Sequence, residues 1–135
     1  DVPGGVHPGQ INFTLTNYNG YSGSQNGINV GFFNGSWHVC TVMPTTPNTW
    51  YSITGSFDGT YLKQYNNGTY DNTVTVNQPS VANGGATRIG RRWDGGVESQ
   101  WIFPGDIAIV RIYNRALAGA EVIHNFNANR GRFGI

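Results

Sequence analysis

Residues 103–126 read FPGDIAIVRIYNRALAGAEVIHNF and carry the clearest pattern in the chain. The stretch opens with a Pro-Gly-Asp turn, and the residues from Ile107 to Tyr113 that follow are apolar apart from Arg111. Because this run is rich in β-branched and aromatic residues, it predicts a strand that is covered on both faces.

A short amphipathic helix is predicted directly after this strand. An Asn-Arg break separates the two, and Val122, Ile123 and Phe126 then fall at i, i+1 and i+4, which places them on one stripe of a helix facing a core. The rest of the chain shows no comparable helical pattern. We interpret the unit as the closing strand of a sheet with a helix packed on its edge.

The remainder of the chain predicts short strands separated by tight turns. Apolar residues alternate with polar ones, and the turn signals are Asn34-Gly35, Asp58-Gly59 and Asn67-Gly68. Strands are predicted at 11–15, 28–32, 36–42, 50–57, 61–65, near Tyr70 and at 74–76, and residues 43–48 and 130–135 are predicted to be a loop and a tail. Turn signals every eight to twelve residues predict an all-β, antiparallel two-sheet sandwich with one short C-terminal helix.

The composition agrees with this fold class and limits the kinds of partner that the protein is expected to bind. The 135 residues suit one domain, and 20 Gly with 18 aromatic residues but only 11% charged residues is typical of a turn-rich β protein. A formal net charge of +1 without a basic stripe argues against nucleic acid as a partner. No window approaches the ~18 apolar residues of a membrane span, and no secretory signal opens the chain. Cys40, the single cysteine, is predicted to be a small buried hydrophobe.

Two segments also resemble a known family. The first, from Gly105 to Val122, reads Gly-Asp-Ile-Ala-x-x-Arg-Ile-Tyr-Asn-Arg-Ala-Leu-x-x-x-Glu-Val. It resembles the C-terminal signature of laminin G-like domains of the concanavalin A-like superfamily, above all bacterial and tailed-phage members. The second, Thr49 to Thr60 followed by Tyr65-Asn66-Asn67-Gly68, is similar to that family's Trp…Asp-Gly…Tyr-x-Asn-Gly hairpin. The resemblance implies a jelly-roll sandwich over residues 10–135.

The resemblance also implies that opening strands are missing. Family members begin with strands that carry an Asp-Gly motif and a core Trp, and no such motif precedes Gln10. Residues 1–9, with two Pro and three Gly, are predicted to be a linker or arm. Because an open sandwich leaves unpaired strand edges, we expect another segment or another chain to cover one edge.

Catalysis is not expected. Glycan hydrolysis, which related folds perform, needs two carboxylates about 5 to 9.5 Å apart, and the seven acids contain no Glu-x-Asp-x-x-Glu strand motif. Asp58 and Asp106 lie in turns and Glu121 near a helix start, where carboxylates have structural roles. The histidines have no partner motif of the Gly-x-Ser-x-Gly kind. The chain is therefore predicted not to be an enzyme.

No cofactor is predicted. His38 and Cys40 share one face of a strand, but no further His or Cys completes a metal site with them. The resemblance leaves calcium possible without a defined site. Asp58, Asp94 and Glu98, with loop asparagines, could contribute oxygen ligands.

The loop before the closing strand is the predicted ligand-binding site. It combines tryptophans with planar polar groups, which together suit sugar stacking and hydroxyl recognition: Arg91, Arg92, Trp93, Asp94, Glu98 and Trp101. For Trp101, beside Ile102 and Phe103, a core position is favoured. For Trp93, core packing and ligand contact are equally supported, and exposure would mark a contact site.

Three functions follow from these observations. The first is a non-enzymatic virion structural or adhesion module, exposed on a virion or extracellular surface and able to bind cell-surface glycans. Its other partners would be virion proteins or copies of itself. The second is a purely structural capsid decoration or assembly domain, and the third is a secreted glycan-active protein. The ending Asn-Phe-Asn-Ala-Asn-Arg-Gly-Arg-Phe-Gly-Ile resembles the ends of tailed-phage structural proteins, which favours the first.

Overall fold

Two antiparallel sheets and a C-terminal helix make up the described part of the chain. The computed structural model describes residues 10–16, 27–33, 37–76, 89–90, 103 and 105–135. The predicted linker at 1–9 lies outside these ranges. The expected fold class, an antiparallel two-sheet sandwich with one C-terminal helix, is confirmed.

The first sheet is formed by the N-terminal strands. They are β1 (Gln10–Thr16), β2 (Gly27–Phe33), β3 (Trp37–Val39) and β4 (Met43–Pro44). The order is β1-β2-β3, and β4 also pairs with β2. The alternation at 11–15 and 28–32 therefore predicted its two long strands correctly.

A bulge divides the strand that was predicted at 36–42. Gly31 pairs with Val39, whereas Ile28 pairs with Met43. Three steps along β2 thus correspond to four steps along its neighbour, and the extra residue is the mark of a β-bulge. The single predicted strand is consequently two short ones, and the loop predicted from Met43 begins only after Pro44.

The second sheet is a three-stranded meander. Its strands are β5 (Ile53–Phe57), β6 (Tyr61–Asn66) and β7 (Thr69–Thr75), in that order. Asn67 and Gly68 both have positive φ, at 48° and 76°, as the predicted Asn-Gly hairpin turn requires. A second bulge lies in β7, because Gln64 pairs with Asn72 and Tyr65 with Tyr70, which leaves Asp71 unpaired.

The core lies between the two sheets. Its buried members are Val30, Cys40, Leu62 and Val76, and Ile53, Phe57 and Val74 pack against them. Cys40 is 2% exposed, so its prediction as a small buried hydrophobe is confirmed.

A buried glutamine joins the sheets through the core. The side chain of Gln64, on β6, is fully buried, and its Oε1 accepts a hydrogen bond from Val30 N at 2.8 Å. Cys40 N donates to Val30 O at 2.8 Å. In a regular ladder Val30 N would donate back to Cys40. The bulge removes that partner, and the amide of Gln64 replaces it from the opposite sheet.

The helix, α1 (Gly119–Phe133), is longer than the sequence pattern suggested. Glu121 accepts from Ala118 N at 2.9 Å at its start, and Gly134, with φ 69°, closes its end in the left-handed conformation. Residues 130–133, predicted to belong to a tail, are therefore helical.

A second, smaller cluster packs this helix on the meander. It consists of Tyr65, Leu117 and Val122, and Ser56 Oγ donates to Leu117 O at 3.1 Å. Ile123, predicted to share the buried stripe, is 48% exposed. The apolar stripe is narrower than predicted because one sheet surface touches only one side of the helix.

The expected closing strand is the main correction. Residues 107–113 are not part of a sheet, and their large side chains are exposed rather than covered on both faces. No strand in the described ranges lies beside them to supply a ladder. The apolar, β-branched pattern is typical of strands, but it cannot report whether a partner strand is present.

No helix in the described part of the chain is both long enough and apolar enough to cross a membrane.

We expect Gly68→Ala to destabilise the protein by about 1–3 kcal/mol. The substitution forces a positive φ on a residue with a Cβ, and that Cβ would lie 2.8 Å from Phe126 Cδ1. Chemical denaturation measures the effect. Gly131→Ala, inside α1 with no atom within 4 Å of its new Cβ, is the control and should be neutral or stabilising by up to ~1 kcal/mol. A Gly68→Ala penalty that does not shrink in a Phe126→Ala background would contradict the steric explanation.

Gln64→Leu should cost about 1–3 kcal/mol, because it leaves Val30 N–H buried without an acceptor. Gln64→Glu should cost more at pH 7, since it replaces the amide donor with an oxygen that faces other oxygens. Denaturant unfolding compares the two with Asn72→Ala at the partly exposed edge, which should have a smaller effect. Equal stability of Gln64→Leu and the parent protein would show that the link between the sheets is dispensable.

Candidate functional site

The loop predicted to bind ligand cannot be placed. Its candidate residues, Arg91, Arg92, Trp93, Asp94, Glu98 and Trp101, all lie outside the described residues. Their role in binding stays a prediction. The geometry that follows comes from two other regions of the protein.

An exposed aromatic cluster, which we call the aromatic patch, forms where α1 ends. It consists of Trp50, Phe126, Arg130, Arg132 and Phe133. The rings of Trp50 and Phe133 lie 5.1 Å apart between centroids at an angle of 52°. Trp50 remains 38% exposed. A large aromatic ring is thus held in one orientation while part of it faces water.

Two guanidinium groups accompany the rings of the aromatic patch. Arg132 lies 5.5 Å from the centroid of Phe133, and Arg130 lies 5.9 Å from that of Phe126. Both distances are within the range of cation–π attraction. This attraction orients one planar, positively charged donor over each phenylalanine ring, and the Phe133 ring is the one that packs on the indole of Trp50.

The helix and the meander position the aromatic patch together. Phe126, Arg130 and Phe133 fall at i, i+4 and i+7, on one face of α1. Phe126 packs against Gly68 of the β6–β7 turn, where a Cβ would leave no room. The same turn is tied to the segment that follows Trp50, because Ser52 N donates to Asn67 Oδ1 and Asn67 N donates to Ser52 O, both at 2.8 Å.

Sequence reasoning missed the aromatic patch for a definite reason. Trp50 was assigned to a strand, and Phe133 was assigned to a tail in which its neighbours have no fixed direction. The signal that could have found the patch is the i, i+4, i+7 spacing from Phe126 together with Gly134 as a helix cap. The contact between positions 50 and 133 is a consequence of tertiary packing.

A polar node around the buried Gln64 is the second region. Its Nε2 lies 3.0 Å from Thr41 O, 3.0 Å from Asn66 Oδ1 and 3.4 Å from Asp71 Oδ2. Asn72 Nδ2 donates to Thr41 Oγ1 at 2.8 Å and extends the node to the protein surface. The bulges of both sheets meet here. These oxygens accept hydrogen bonds from Gln64, and the bond to Thr41 O connects the two sheets.

Two of the acidic residues, Asp58 and Glu121, have structural partners of the kind that the sequence suggested. Asp58 accepts from Thr60 N at 3.0 Å and Tyr61 N at 2.7 Å, and Lys63 lies 3.6 Å away. The backbone hydrogen bonds, and then Lys63, hold the pKa of Asp58 below its ordinary value. A carboxyl held ionised in this way is unsuited to general-acid catalysis, which requires a raised pKa.

Glu121 is stabilised in its ionised form more strongly. Its two oxygens accept from Arg115 at 2.8 and 2.5 Å, and one also accepts from Ala118 N. The Arg115 contact, followed by the backbone bond, lowers the pKa of Glu121 to about 2. The carboxylate therefore closes the helix start, as its position in the sequence indicated.

Neither a reactive thiol nor a metal cluster is found in the described part of the chain. Burial and the nearby Asp71 carboxylate raise the pKa of the Cys40 thiol to about 11, so it stays protonated and weakly nucleophilic. The described residues contain no group of three His, Cys, Asp or Glu side chains placed to hold a metal ion. Asp58 is engaged in its turn, while Asp94 and Glu98, the other acids considered for calcium, are not described.

Comparison with known proteins identifies one relationship. A family model described as the concanavalin A-like lectin/glucanases superfamily, of the laminin G type, matches residues 5–123. Searches of curated proteins and of solved structures gave no significant match. The match covers both segments on which the sequence resemblance rests.

The contact between Arg115 and Glu121 should make the stability of the protein decrease in acid. The pKa of Glu121 is about 2 in the folded protein against an ordinary 4.5. Its contribution is therefore present above pH 4.5 and is lost as the pH falls from 4.5 towards 2. In denaturation series at several pH values, Glu121→Gln should be less stable than the parent protein at pH 7 and equal to it near pH 2.

Arg115→Gln should reproduce this loss at pH 7, because it removes the same contact. Asp58→Asn serves as the comparison, since it removes a different carboxylate titrating below its ordinary pKa and should leave the Glu121 difference intact. Parallel pH profiles of Glu121→Gln and the parent protein would contradict the assignment.

Proposed function

Because the chain belongs to the concanavalin A-like lectin/glucanase superfamily, we propose that it is a non-enzymatic adhesion module that binds carbohydrate through the aromatic patch. The superfamily contains both binding proteins and hydrolases, so the fold alone does not select the activity. The choice rests on the chemistry of the described side chains.

The observation that carries the proposal is the exposed indole of Trp50, fixed by Phe133. A flat aromatic face can stack on the apolar face of a pyranose ring. Because Phe133 already restricts the indole, little side-chain entropy remains to be lost on binding. The arrangement suits a surface site that recognises one sugar at a time.

The two arginines indicate which sugars the aromatic patch would favour. Arg130 and Arg132 place two guanidinium groups beside the rings. A guanidinium group binds a carboxylate through two parallel hydrogen bonds, which a hydroxyl cannot match. The preferred ligand is therefore an acidic glycan, such as one that contains uronic or sialic acid.

Binding without cleavage is supported by the state of the carboxylates. The pKa values of Asp58 and Glu121 are both lowered, through contacts that belong to a turn and to a helix start. A hydrolase instead needs one carboxyl that is kept protonated beside another that is ionised. These two carboxylates thus have structural roles, in keeping with a binding module.

We further propose a virion or extracellular surface as the setting of the domain. The support is the resemblance of its C-terminal sequence to tailed-phage structural proteins. In that setting its partners are other virion proteins or copies of itself, together with glycans of the host cell surface. Immunogold labelling of intact particles with an antibody to the domain would test this location, and labelling only of disrupted particles would contradict it.

A purely structural role as a decoration or assembly domain is the second candidate. It is favoured by a different observation, the exposed apolar run at residues 107–113, which suits a protein contact better than a sugar contact. Such a role requires no glycan at all. Glycan binding therefore separates the two functions.

On a glycan array, the protein should bind acidic oligosaccharides, and Trp50→Ala should weaken binding at least about tenfold, the loss typical of a central aromatic contact. Trp37→Ala is the matched control, since Trp37 is also 38% exposed but lies on β3 of the other sheet. Unfolding measurements establish that both variants are folded.

Three results would overturn parts of this proposal. Absence of any bound glycan would leave the structural role. Loss of binding in Trp93→Ala but not in Trp50→Ala would move the site to the loop that the sequence indicated. Cleavage of a polysaccharide, abolished by Asp71→Asn or another single carboxylate change, would show an enzyme.

A further inference from the structure

A shallow depression, which we call the helix groove, lies beside the first half of α1. It is lined by Tyr113, Arg115, Leu117, Ala120, His124 and Asn125. Its volume of about 360 Å³ is at the lower end of the range for ligand sites, which is roughly 300–1,000 Å³. The helix groove is therefore of a size that accommodates one small ring-shaped group.

The polar groups of the helix groove suit a sugar ring. Asn125 Nδ2 donates to the Tyr113 hydroxyl at 3.2 Å. Because that hydroxyl is the acceptor in this bond, its own hydrogen can be donated to a ligand. Tyr113 is 44% exposed, so part of its ring can stack on a sugar, and the exposed His124 can donate or accept at a hydroxyl group. Arg115 and Glu121 neutralise each other at the end of the groove next to the start of α1.

Arg111 lies between the helix groove and the end of α1. Its Nη2 donates to Asn129 Oδ1 at 3.4 Å, and Asn129 Nδ2 donates to Asn125 O at 2.8 Å. The second bond orients the Asn129 amide so that its oxygen meets Arg111. Asn125, Asn129 and Arg132 fall at i, i+4 and i+7, on one face of α1. The helix groove, Arg111 and Arg132 thus follow one another along about 10 Å of helix, at ~1.5 Å per residue.

Arg132 connects this face of α1 with the aromatic patch. Its guanidinium group lies 5.5 Å from the centroid of Phe133, and the Phe133 ring packs on Trp50. The aromatic patch by itself offers a stacking surface for one sugar. The polar face that begins at Arg132 continues from there past Arg111 to the helix groove.

The two arginines along this face have no acidic partner in the described part of the chain. The ion pairs found there are formed by Lys63 and Arg115, and none includes Arg111 or Arg132. Two like charges along one helix face repel each other unless an anion is bound. A ligand that carries carboxylates at successive positions neutralises both charges and offers each guanidinium group a bidentate contact.

We propose that an acidic oligosaccharide binds lengthwise along α1. One sugar unit stacks on Trp50, a carboxylate of the chain binds Arg111, and a further unit occupies the helix groove. This inference rests on the proposed sugar binding at the aromatic patch and extends it from one sugar to a chain. Successive acidic units are characteristic of polymers that contain uronic acid, whereas a sialic acid at a chain end supplies a single carboxylate. The ligand is therefore a polysaccharide that contains uronic acid.

Exposed rings at both ends of this face favour a glycan over an acidic peptide. Trp50 is 38% exposed at one end, and Tyr113 is 44% exposed at the other. The apolar face of a pyranose can stack on such rings. The side chains of an acidic peptide would satisfy the two arginines but would leave both ring faces uncovered.

Affinity measured as a function of chain length tests the proposal. The probes are oligomers of polygalacturonate, alginate and hyaluronan, each compared with its own uronic acid monosaccharide by calorimetry and NMR titration. In at least one series the tetramer should bind at least about tenfold more tightly than the monosaccharide, because linked contacts share one loss of translational freedom. Affinities that do not rise with length in any series would overturn the lengthwise site.

Arg111→Gln separates the added contacts from the aromatic patch. It should weaken binding of the tetramer about tenfold, as expected for the loss of one charge-assisted contact, and leave the monosaccharide unaffected. Tyr113→Phe, which keeps the ring and removes the hydroxyl group, should weaken the tetramer by a smaller factor. Lys63→Gln is the control, since it removes one positive charge from the meander. Equal weakening by Lys63→Gln would show a general charge effect and contradict the proposal.

Trp50→Ala distinguishes failure of this inference from failure of the proposed function. It should weaken the monosaccharide and the tetramer by the same factor, because both use the aromatic patch. If no sugar of any length binds, the proposed function itself is wrong. If sugars bind but Arg111→Gln changes nothing, only the lengthwise site is wrong. Polyglutamate that binds as tightly as the tetramer, with the same loss in Arg111→Gln, would assign this face to an acidic protein instead.

Discussion

The join between the sheets depends on one buried amide. Gln64, fully buried on the middle strand of the meander, supplies the acceptor for Val30 N that a bulge in the first sheet has removed. Its amide nitrogen is placed among Thr41 O, Asn66 Oδ1 and Asp71 Oδ2. Apolar packing alone would hold two sheets together without fixing their relative position. The directional bonds of Gln64 fix that position, because a shifted sheet would leave a buried N–H without a partner.

The positions of the exposed surfaces proposed for binding depend on these two joined sheets. The meander that carries Gln64 also carries Tyr65, on which Leu117 and Val122 pack, and so it determines where α1 lies. The helix in turn orients the aromatic patch at its C-terminal end, and its Asn125 and Asn129 form hydrogen bonds with Tyr113 and Arg111 in the exposed run at residues 107–113. Neither surface takes part in the core, so side chains there can vary at little cost to the fold. Ligand and partner preference can thus change on a constant scaffold.

The sequence predicted features whose cause is local. Alternation located β1 and β2, and Asn67-Gly68 located a turn, because strand period and positive φ are properties of a few adjacent residues. It could not predict features that need a distant partner. Residues 107–113 have the composition of a strand but no neighbouring strand within the described ranges. Gln64 resembles an ordinary strand residue as long as the position of Val30 is unknown. The Trp50–Phe133 contact joins residues that are far apart in the sequence, and the role of the loop around Trp93 stays a prediction.

The order in which contacts form has a consequence for biogenesis. The meander is built from hairpins of neighbouring residues and can form as soon as its strands leave the ribosome, since local contacts close small loops. The outer surface of the meander is covered only later, because its contact with the C-terminal part of the chain includes a hydrogen bond between Ser56 and Leu117 that spans 61 residues. During translation, Tyr65 is therefore exposed to solvent until the C-terminal helix has been synthesised and packs against it. The nascent chain passes through a stage with a formed sheet and an uncovered aromatic surface, and chaperone binding at that stage would protect it from aggregation.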